Sequence, residues 1–402
     1  MWCSGAVLPV RRRVVLLRNW YRCSFALVIF STGLSFSLIG AALPDITVLY
    51  GLTKTEASTL PFLQFLGAYL GLALLTVASS RPRLLLAGAA MVQCLAALYI
   101  ALVPGYSLAL KSCFFLFGAT GNIIVPLTGT IITKAGRGGA ARDLNVHYGF
   151  FSAGVMAAPL YSGLLYNQGF HYGPSYMVLA AVAFAAFIAA LPDALPETGN
   201  SARITGSVFR QAFTSHGKFL FIILAVNILY VSAESIPNTW IPKYFTDVFP
   251  HYSSFRTRFA LTLFWGTVTA GRYICALLIH RGVKPVTLMM SLSGAASICL
   301  FAAASSHDGL TAELLFSMLG LFLSGMFPLI ASSLERLPER YTDMSFVLLI
   351  ATGMMGASGV SKLSGYIADQ AGFHLAMKSG SIFLVFVLVV LAVWGVKYYR
   401  SR

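Results

Sequence analysis

The sequence predicts an all-α membrane protein with twelve transmembrane helices arranged as two six-helix repeats. Three observations support this fold class: the composition, the length of the apolar segments, and an internal repetition. Of the 402 residues, 57% are hydrophobic and only 10% are charged. A soluble chain of this length needs far more charge to cover its surface, and the mean hydropathy of +0.78 points the same way.

The apolar residues form twelve segments, each about 20 residues or longer, which is enough to cross about 30 Å of hydrocarbon. We number these segments 1 to 12 in chain order. They span residues 23–44, 57–79, 84–104, 108–133, 144–167, 172–192, 218–243, 256–279, 284–304, 311–333, 343–368 and 375–396.

Basic residues are distributed unevenly over the predicted loops. With the amino terminus in the cytoplasm, 20 of the 28 Lys and Arg residues lie at inner ends and loops, and 6 lie at outer ends. This bias predicts an integral plasma membrane protein with both termini in the cytoplasm. It also explains the net charge of +15 without a nucleic acid partner. The six cysteines lack metal-ligand spacing, so we expect no metal and no other cofactor.

The longest inner link predicts the division into domains. Residues 193–217 are rich in Pro, Gly, Ser and charged residues, which is typical of a cytoplasmic linker. This linker separates an N-terminal six-helix bundle, residues 1–192, from a C-terminal six-helix bundle, residues 218–402.

An internal repetition relates the two predicted bundles. Gly118 and Gly320 are 202 positions apart, and the same offset relates Gly154 to Gly356. Two parallel copies of a six-helix unit are the plan of a transporter whose halves rock around a central site.

Segment 7 carries an isolated acid within an apolar stretch. Asn227, Tyr230, Glu234, Asn238 and Ile241 follow one another at intervals of three or four, so they share one face of a helix. An acidic side chain at the centre of a membrane helix costs about 2.5–3.5 kcal/mol on insertion scales. We therefore expect this face to line an aqueous cavity, with Glu234 as a titrating or hydrogen-bonding group.

Four stretches of the sequence resemble the major facilitator superfamily. They also resemble, within it, the fucose permease branch of sugar:proton symporters. The first three are GAALPDITVLYGLTKTEASTLPFLQFLGAYLG (40–71), LNVHYGFFSAGVMAAPL (144–160) and YVSAESIPNTWIPKYF (230–245). The fourth combines FWGTVTAGRY (264–273) with HRGVKP (280–285).

The resemblance implies a secondary active transporter that moves a small polar solute, a sugar or a related metabolite, by alternating access. The implied partners are the solute, the lipid bilayer and a coupling ion, which is a proton or alternatively sodium; a monomer suffices. In this fold segments 1, 4, 7 and 10 line the central cavity. Glu234 is then the proton-coupling residue, and the expected solute-binding residues are Asn122, Asn227, Tyr230, Glu234, Asn238 and Trp240.

Other polar residues in the segments have simpler interpretations. Lys362 lies at a depth similar to that of Glu234, so a structural ion pair between them is an alternative to a titrating Glu234. We expect His147 and Arg272 to have gating or structural roles. Asp45, at the outer end of segment 1, is interpreted as a solvated residue at a helix end.

Three other functions compete with solute uptake. The main alternative is proton-driven efflux of drugs or amphipathic metabolites, for which several Met residues in segments 10 and 11 leave room. A sensor that keeps the fold without moving cargo is a second. The stretch GASG (356–359), with His374 downstream, matches a short pattern of intramembrane serine proteases. The twelve-segment duplication argues against a protease, and we expect no enzymatic activity.

Overall fold

The computed structural model describes residues 10–78, 81–135, 140–191 and 206–395. Regular structure in these ranges is helical, without strands. Ten of the described helices are long and apolar enough to cross a membrane. The all-α membrane class predicted from the sequence is therefore confirmed.

Seven helices form an N-terminal set. The helix predicted as segment 2 begins with a separate short turn, α2, and segment 5 corresponds to α6. Ten helices of the described chain meet the criteria of length and hydropathy for a membrane span, and α6 is not one of them. The bounds are α1 Val10–Leu49, α2 Lys54–Ala57, α3 Thr59–Ala78, α4 Pro82–Leu102, α5 Leu108–Ala135, α6 Ala140–Asn167 and α7 Tyr172–Ala190.

The remaining helices form a C-terminal set. Segment 10 is divided between α11 and α12, and the long helix α13 covers segments 11 and 12. A 3₁₀ turn at Ser333–Arg336 follows α12, and a π turn at Leu391–Gly395 ends the set. The bounds are α8 Gly206–Val248, α9 Ser254–His280, α10 Pro285–Ser305, α11 Gly309–Leu323, α12 Met326–Ser332 and α13 Glu339–Val390.

Two long helices contain backbone breaks. Gly372 divides α13 with a φ of 82°, a left-handed conformation that glycine adopts without steric cost. His216 is non-helical within α8, with φ of −129° and ψ of 18°. Residues 206–217 of the predicted linker are thus the start of α8, whereas residues 193–205 lie outside the described residues.

Glycines related by the sequence offset make equivalent contacts in the two sets. Gly118 brings α5 against α3, and Gly320 brings α11 against α9. Gly154 brings α6 against α1, and Gly356 brings α13 against α8. At each position an added Cβ would collide with a backbone oxygen of the neighbouring helix, so only glycine permits the approach. The repetition in the sequence therefore corresponds to a repetition of helix contacts.

The two sets meet where α1 packs on α8, α6 on α9, and α3 on α13. Gly40 of α1 lies against the backbone carbonyl of Asn238 in α8. Since Pro242 has no N–H group, that carbonyl has no helical partner four residues later. Gly163 and Gly365, again 202 positions apart, place α6 against α9 and α13 against α2. Close glycine contacts thus position the two sets around the site described next.

Candidate functional site

Glu234 lies on α8 and is partly exposed. The hydroxyl of Tyr230, one turn earlier, donates a hydrogen bond of 2.6 Å to its Oε1 atom. The ion pairs found among the described residues do not include Glu234. Its carboxyl group is therefore held by a neutral donor and not by a cation within ion-pair distance.

Arg272 of α9 is the basic residue that acts on Glu234. Its charge interacts electrostatically with Glu234 and with Tyr148 of α6. Its Nη1 atom donates to the Ser152 hydroxyl of α6 at 3.2 Å, so it links the two helix sets. Helices α6, α8 and α9 therefore bring an acid, a base and two hydroxyl-bearing side chains into one region.

Besides Tyr230, three more of the predicted solute-binding residues lie buried among the helices of the C-terminal set. Asn227 is fully buried, and its amide donates to a backbone carbonyl of α13 at 2.7 Å. Asn238 accepts a hydrogen bond of 3.0 Å from the indole of Trp265 in α9. Trp240 is also fully buried, and its indole donates to Ser364 at 2.9 Å. In this conformation these side chains join helices and do not present an accessible surface.

The position of Trp240 follows from helix geometry. It comes six residues after Glu234, which is about 240° further round the helix. The two side chains therefore lie on different faces of α8. The indole ring of Trp240 packs edge-on against Phe373, with 5.4 Å between ring centroids.

Asn122 and His147 lie in the N-terminal set. Asn122 of α5 is partly exposed, and its amide donates only a weak hydrogen bond of 3.4 Å to Gly118 of its own helix. His147 is 4% exposed, and its Nε2 atom lies 2.8 Å from the Thr128 hydroxyl. The structure thus gives His147 a hydrogen-bonded packing position between α5 and α6. Most of the Asn122 amide has no hydrogen-bond partner among the described residues.

Lys362 does not pair with Glu234 in this structure. Its ammonium group donates to the Thr55 carbonyl at 3.0 Å and to the Thr59 hydroxyl at 2.5 Å. The alternative interpretation, an ion pair between Glu234 and Lys362, is therefore not formed. Lys362 instead joins α13 of the C-terminal set to α2 and α3 of the N-terminal set.

Arg258 was not identified from the sequence as a special residue, yet it is 1% exposed. Its guanidinium donates to Asp45 at 2.9 Å and to the Ala41 carbonyl at 2.9 Å, both in α1. It also lies over the ring of Tyr166, 3.6 Å from the centroid. The expectation that Asp45 is merely solvated is wrong, because Asp45 forms an ion pair with Arg258 of α9, in the other helix set.

Asp369 makes a second connection between the sets at the same end of the bundle. Its carboxylate accepts from the backbone N–H groups of Lys54 and Thr55 at 2.9 and 2.7 Å, and from the Thr55 hydroxyl at 2.6 Å. These N–H groups lie at the start of α2, where a helix has unsatisfied donors and favours an anion. We call the end that holds Asp45, Arg258 and Asp369 the closed end.

The residues of the protease-like pattern are not arranged for catalysis. The Ser358 hydroxyl donates to a carbonyl of its own helix at 3.0 Å. The Nδ1 atom of His374 lies 2.7 Å from the Ala304 carbonyl. A serine nucleophile requires a base within hydrogen-bond reach, and the structure brings no such base to Ser358 from the part of the chain it describes.

Comparison with known proteins identifies the family. The sequence profile of the Major Facilitator Superfamily matches residues 25–360. The chain belongs to this superfamily. A TsgA homolog from Erwinia tasmaniensis is 23% identical over 385 residues, which cover 92% of this chain and 94% of that protein.

Two solved structures share the fold of this superfamily member. The D-xylose-proton symporter superimposes with a TM-score of 0.76 at 12% identity, covering 93% of this chain and 96% of the symporter. The fucose:proton symporter FucP of E. coli gives a TM-score of 0.64 at 16% identity, covering 95% and 98% of the two chains. The predicted resemblance to the superfamily is confirmed, and the fucose:proton symporter shares the fold. The superfamily and these structural neighbours are transporters, not enzymes.

Proposed function

We propose that this protein is a secondary active transporter. It moves a small polar solute, such as a sugar or a related metabolite, by alternating access and couples this movement to protons through Glu234. The observation that carries the proposal is the setting of the Glu234 carboxyl group, which is partly exposed and hydrogen-bonded by Tyr230. Taking up a proton removes the cost of holding a charge in a poorly hydrated site.

The similar xylose and fucose carriers are both described as proton symporters, which supports proton coupling here. Sodium is the alternative coupling ion. Proton-driven efflux is not favoured by these similarities, and no contact in the described residues favours an amphipathic cargo.

The architecture that we propose for the transporter has twelve membrane crossings. At 1.5 Å per residue, a helix as long as α13 would extend about 80 Å, more than twice the hydrocarbon thickness. The break at Gly372 permits it to turn back and cross twice. We further propose two bundles, residues 1–192 and 218–402, which the repeated glycine contacts support. We also propose that both termini lie in the cytoplasm, which the basic-residue bias supports, and that the protein is a monomer in the plasma membrane.

The closed end faces away from the cytoplasm in this proposal, since the outer ends of segments 1, 2, 8 and 11 meet there. The Asp45–Arg258 ion pair and the Asp369 contacts with α2 hold it shut. For solute to pass, these contacts must break while new ones form at the other end. The structure therefore supports an inward-facing arrangement as one state of the cycle.

The test measures uptake into vesicles containing the purified full-length protein, with labelled sugars and sugar derivatives, under an imposed proton gradient or an imposed sodium gradient. We expect Glu234→Gln to abolish accumulation driven by the proton gradient but to retain exchange of solute for solute, because Gln resembles the protonated acid. Glu335→Gln is the matched control, since Glu335 is exposed in the turn before α13.

Proton-driven uptake that is as fast in Glu234→Gln as in the wild-type protein would remove this residue from the mechanism. Uptake driven only by the sodium gradient would replace the proton by sodium as the coupling ion.

A further inference from the structure

The guanidinium group of Arg272 has an edge without a hydrogen-bond acceptor. Its Nη1 atom is bonded to Ser152, but the Nε atom is buried and has no partner among the described residues. No hydrogen bond of the Nη2 atom is found there either. Nε and Nη2 form the side-on edge of the guanidinium, which matches the two oxygens of a carboxylate. A buried unpaired N–H group costs free energy, so an acceptor at this edge would stabilise the protein.

Further hydrogen-bond donors lie on α6, the helix that Arg272 contacts. Tyr148 of α6 interacts electrostatically with Arg272, and no hydrogen bond of its hydroxyl is found in the described part of the chain. Gly149 and Ser152 lie one turn apart on α6, and an added Cβ at Gly149 would meet nothing within 4 Å. Helices α6 and α9 thus bring together a cation and two hydroxyl groups.

We propose that Arg272 binds an acid group of the transported solute, and that the solute class is therefore small organic carboxylates, including sugar acids. This inference rests on the proposed transport function and narrows its substrate. The side-on edge of Arg272 holds the carboxylate, and Ser152 and Tyr148 donate to its oxygens or to a neighbouring hydroxyl of the solute.

The same arrangement explains how a carboxylate would move together with a proton. In the proposed cycle Glu234 is ionised before binding, and its charge and that of Arg272, which interact electrostatically, offset each other. A bound carboxylate takes over as the counter-ion of Arg272, and it repels the Glu234 carboxylate unless Glu234 takes up a proton. The occupied site then holds one cation, one anion and one neutral acid. One proton therefore enters with each carboxylate, and the net charge of the site stays at zero.

Several other charged side chains on the helices packed around this region pair elsewhere in the part of the chain that the structure describes, so these do not neutralise the solute. The pairs concerned are Asp45 with Arg258, Lys243 with Asp247, Arg256 with Glu313, and Lys362 with Thr55 and Thr59.

The experiment compares matched neutral and acidic solutes with the purified wild-type protein in vesicles. The pairs are glucose and glucuronate, ribose and ribonate, and propanediol and lactate, with uptake of label and alkalinisation of the outer medium as readouts. We expect saturable uptake of an acidic member with one proton, and no saturable uptake of its neutral partner. This comparison uses only the wild-type protein, so it decides the question even where a variant fails to fold.

Variants then assign the selectivity to Arg272. We expect Arg272→Gln to lower uptake of the acid about 10- to 100-fold, the loss of a charge-assisted hydrogen-bonded contact, and Arg272→Lys to retain part of it. Arg281→Gln, at an exposed position just after α9, should transport normally.

Uptake of a neutral member with a proton, unchanged in Arg272→Gln, would overturn the carboxylate assignment and leave the carrier proposal intact. Absence of transport of every member of all three pairs would overturn both proposals.

Discussion

Replacing Arg258 by Met should open the closed end of the bundle. Met keeps an apolar chain of similar length but removes the guanidinium, and with it the bond to Asp45, the bond to the Ala41 carbonyl, and the contact with the Tyr166 ring. All three contacts join α9 to the N-terminal helix set. The substitution therefore weakens the contact between the sets more than the packing within either one.

The size of the effect follows from the burial of the two partners. Removing one member of a fully buried ion pair costs about 3–5 kcal/mol. The side chain of Arg258 is 2% exposed, but that of Asp45 is 30% exposed, and solvent screens the charge that remains. The Ala41 carbonyl lies inside helix α1, so the substitution does not leave it without a helical partner. We therefore expect the substitution to destabilise the closed state by about 2 kcal/mol, which changes the ratio of closed to open states about 30-fold.

The assay measures the distance between spin labels at Gln168 and His307, two exposed positions at the closed end in different helix sets, by pulsed electron resonance. We expect Arg258→Met to add or enlarge a population at longer distance. Arg256→Met is the matched control, because Arg256 pairs at 3.1 Å with Glu313 inside the C-terminal set. An unchanged distance distribution in Arg258→Met would refute the reasoning, as would an equal change in Arg256→Met.

Three further predictions concern other contacts described above. Asp369→Asn should raise the ratio of open to closed molecules about fivefold in the same distance measurement, since a carboxylate at a helix N-terminus contributes about 1 kcal/mol. Tyr230→Phe removes the donor to Glu234 and should slow proton-driven uptake about tenfold without lowering the melting temperature of the protein by more than a few degrees. Gly40→Val should abolish transport but not membrane insertion, because a side chain there collides with the α8 backbone. Gly88→Val, which meets nothing within 4 Å, should transport normally.

The fold class could be predicted because it depends on a local property. A stretch of about 20 apolar residues predicts a membrane helix wherever it occurs. The constant offset between glycines indicates a repetition even when the contacts of those glycines are unknown. The polar face of segment 7 was visible for the same reason, since helical spacing alone places Tyr230 beside Glu234.

The role of Arg258 could not be predicted in this way. It lies near the start of a predicted helix, where a basic residue is usually solvated, and its partner Ala41 is 217 positions away in the chain. Trp240 is a second residue whose position depends on a distant partner. An aromatic residue close to an acid in sequence suggests a shared site, but its partner Ser364 on α13 draws the indole into the C-terminal set. For both residues, contacts with distant parts of the chain determine where the side chain lies.

The charged residues of the site break the repetition that the glycines keep. Counting back by the offset of 202, Glu234 corresponds to Thr32 and Arg272 to Leu70. The repeated glycines build matching helix contacts in both sets, so they serve helix packing. The proposed coupling site has the opposite requirement. One acid and one base act on a single solute, and a symmetric second copy would place two more charges beside the same solute. Glu234 and Arg272 both lie in the C-terminal set, so the proposed coupling would depend on that set, and the N-terminal set would contribute neutral donors such as Ser152 and Tyr148.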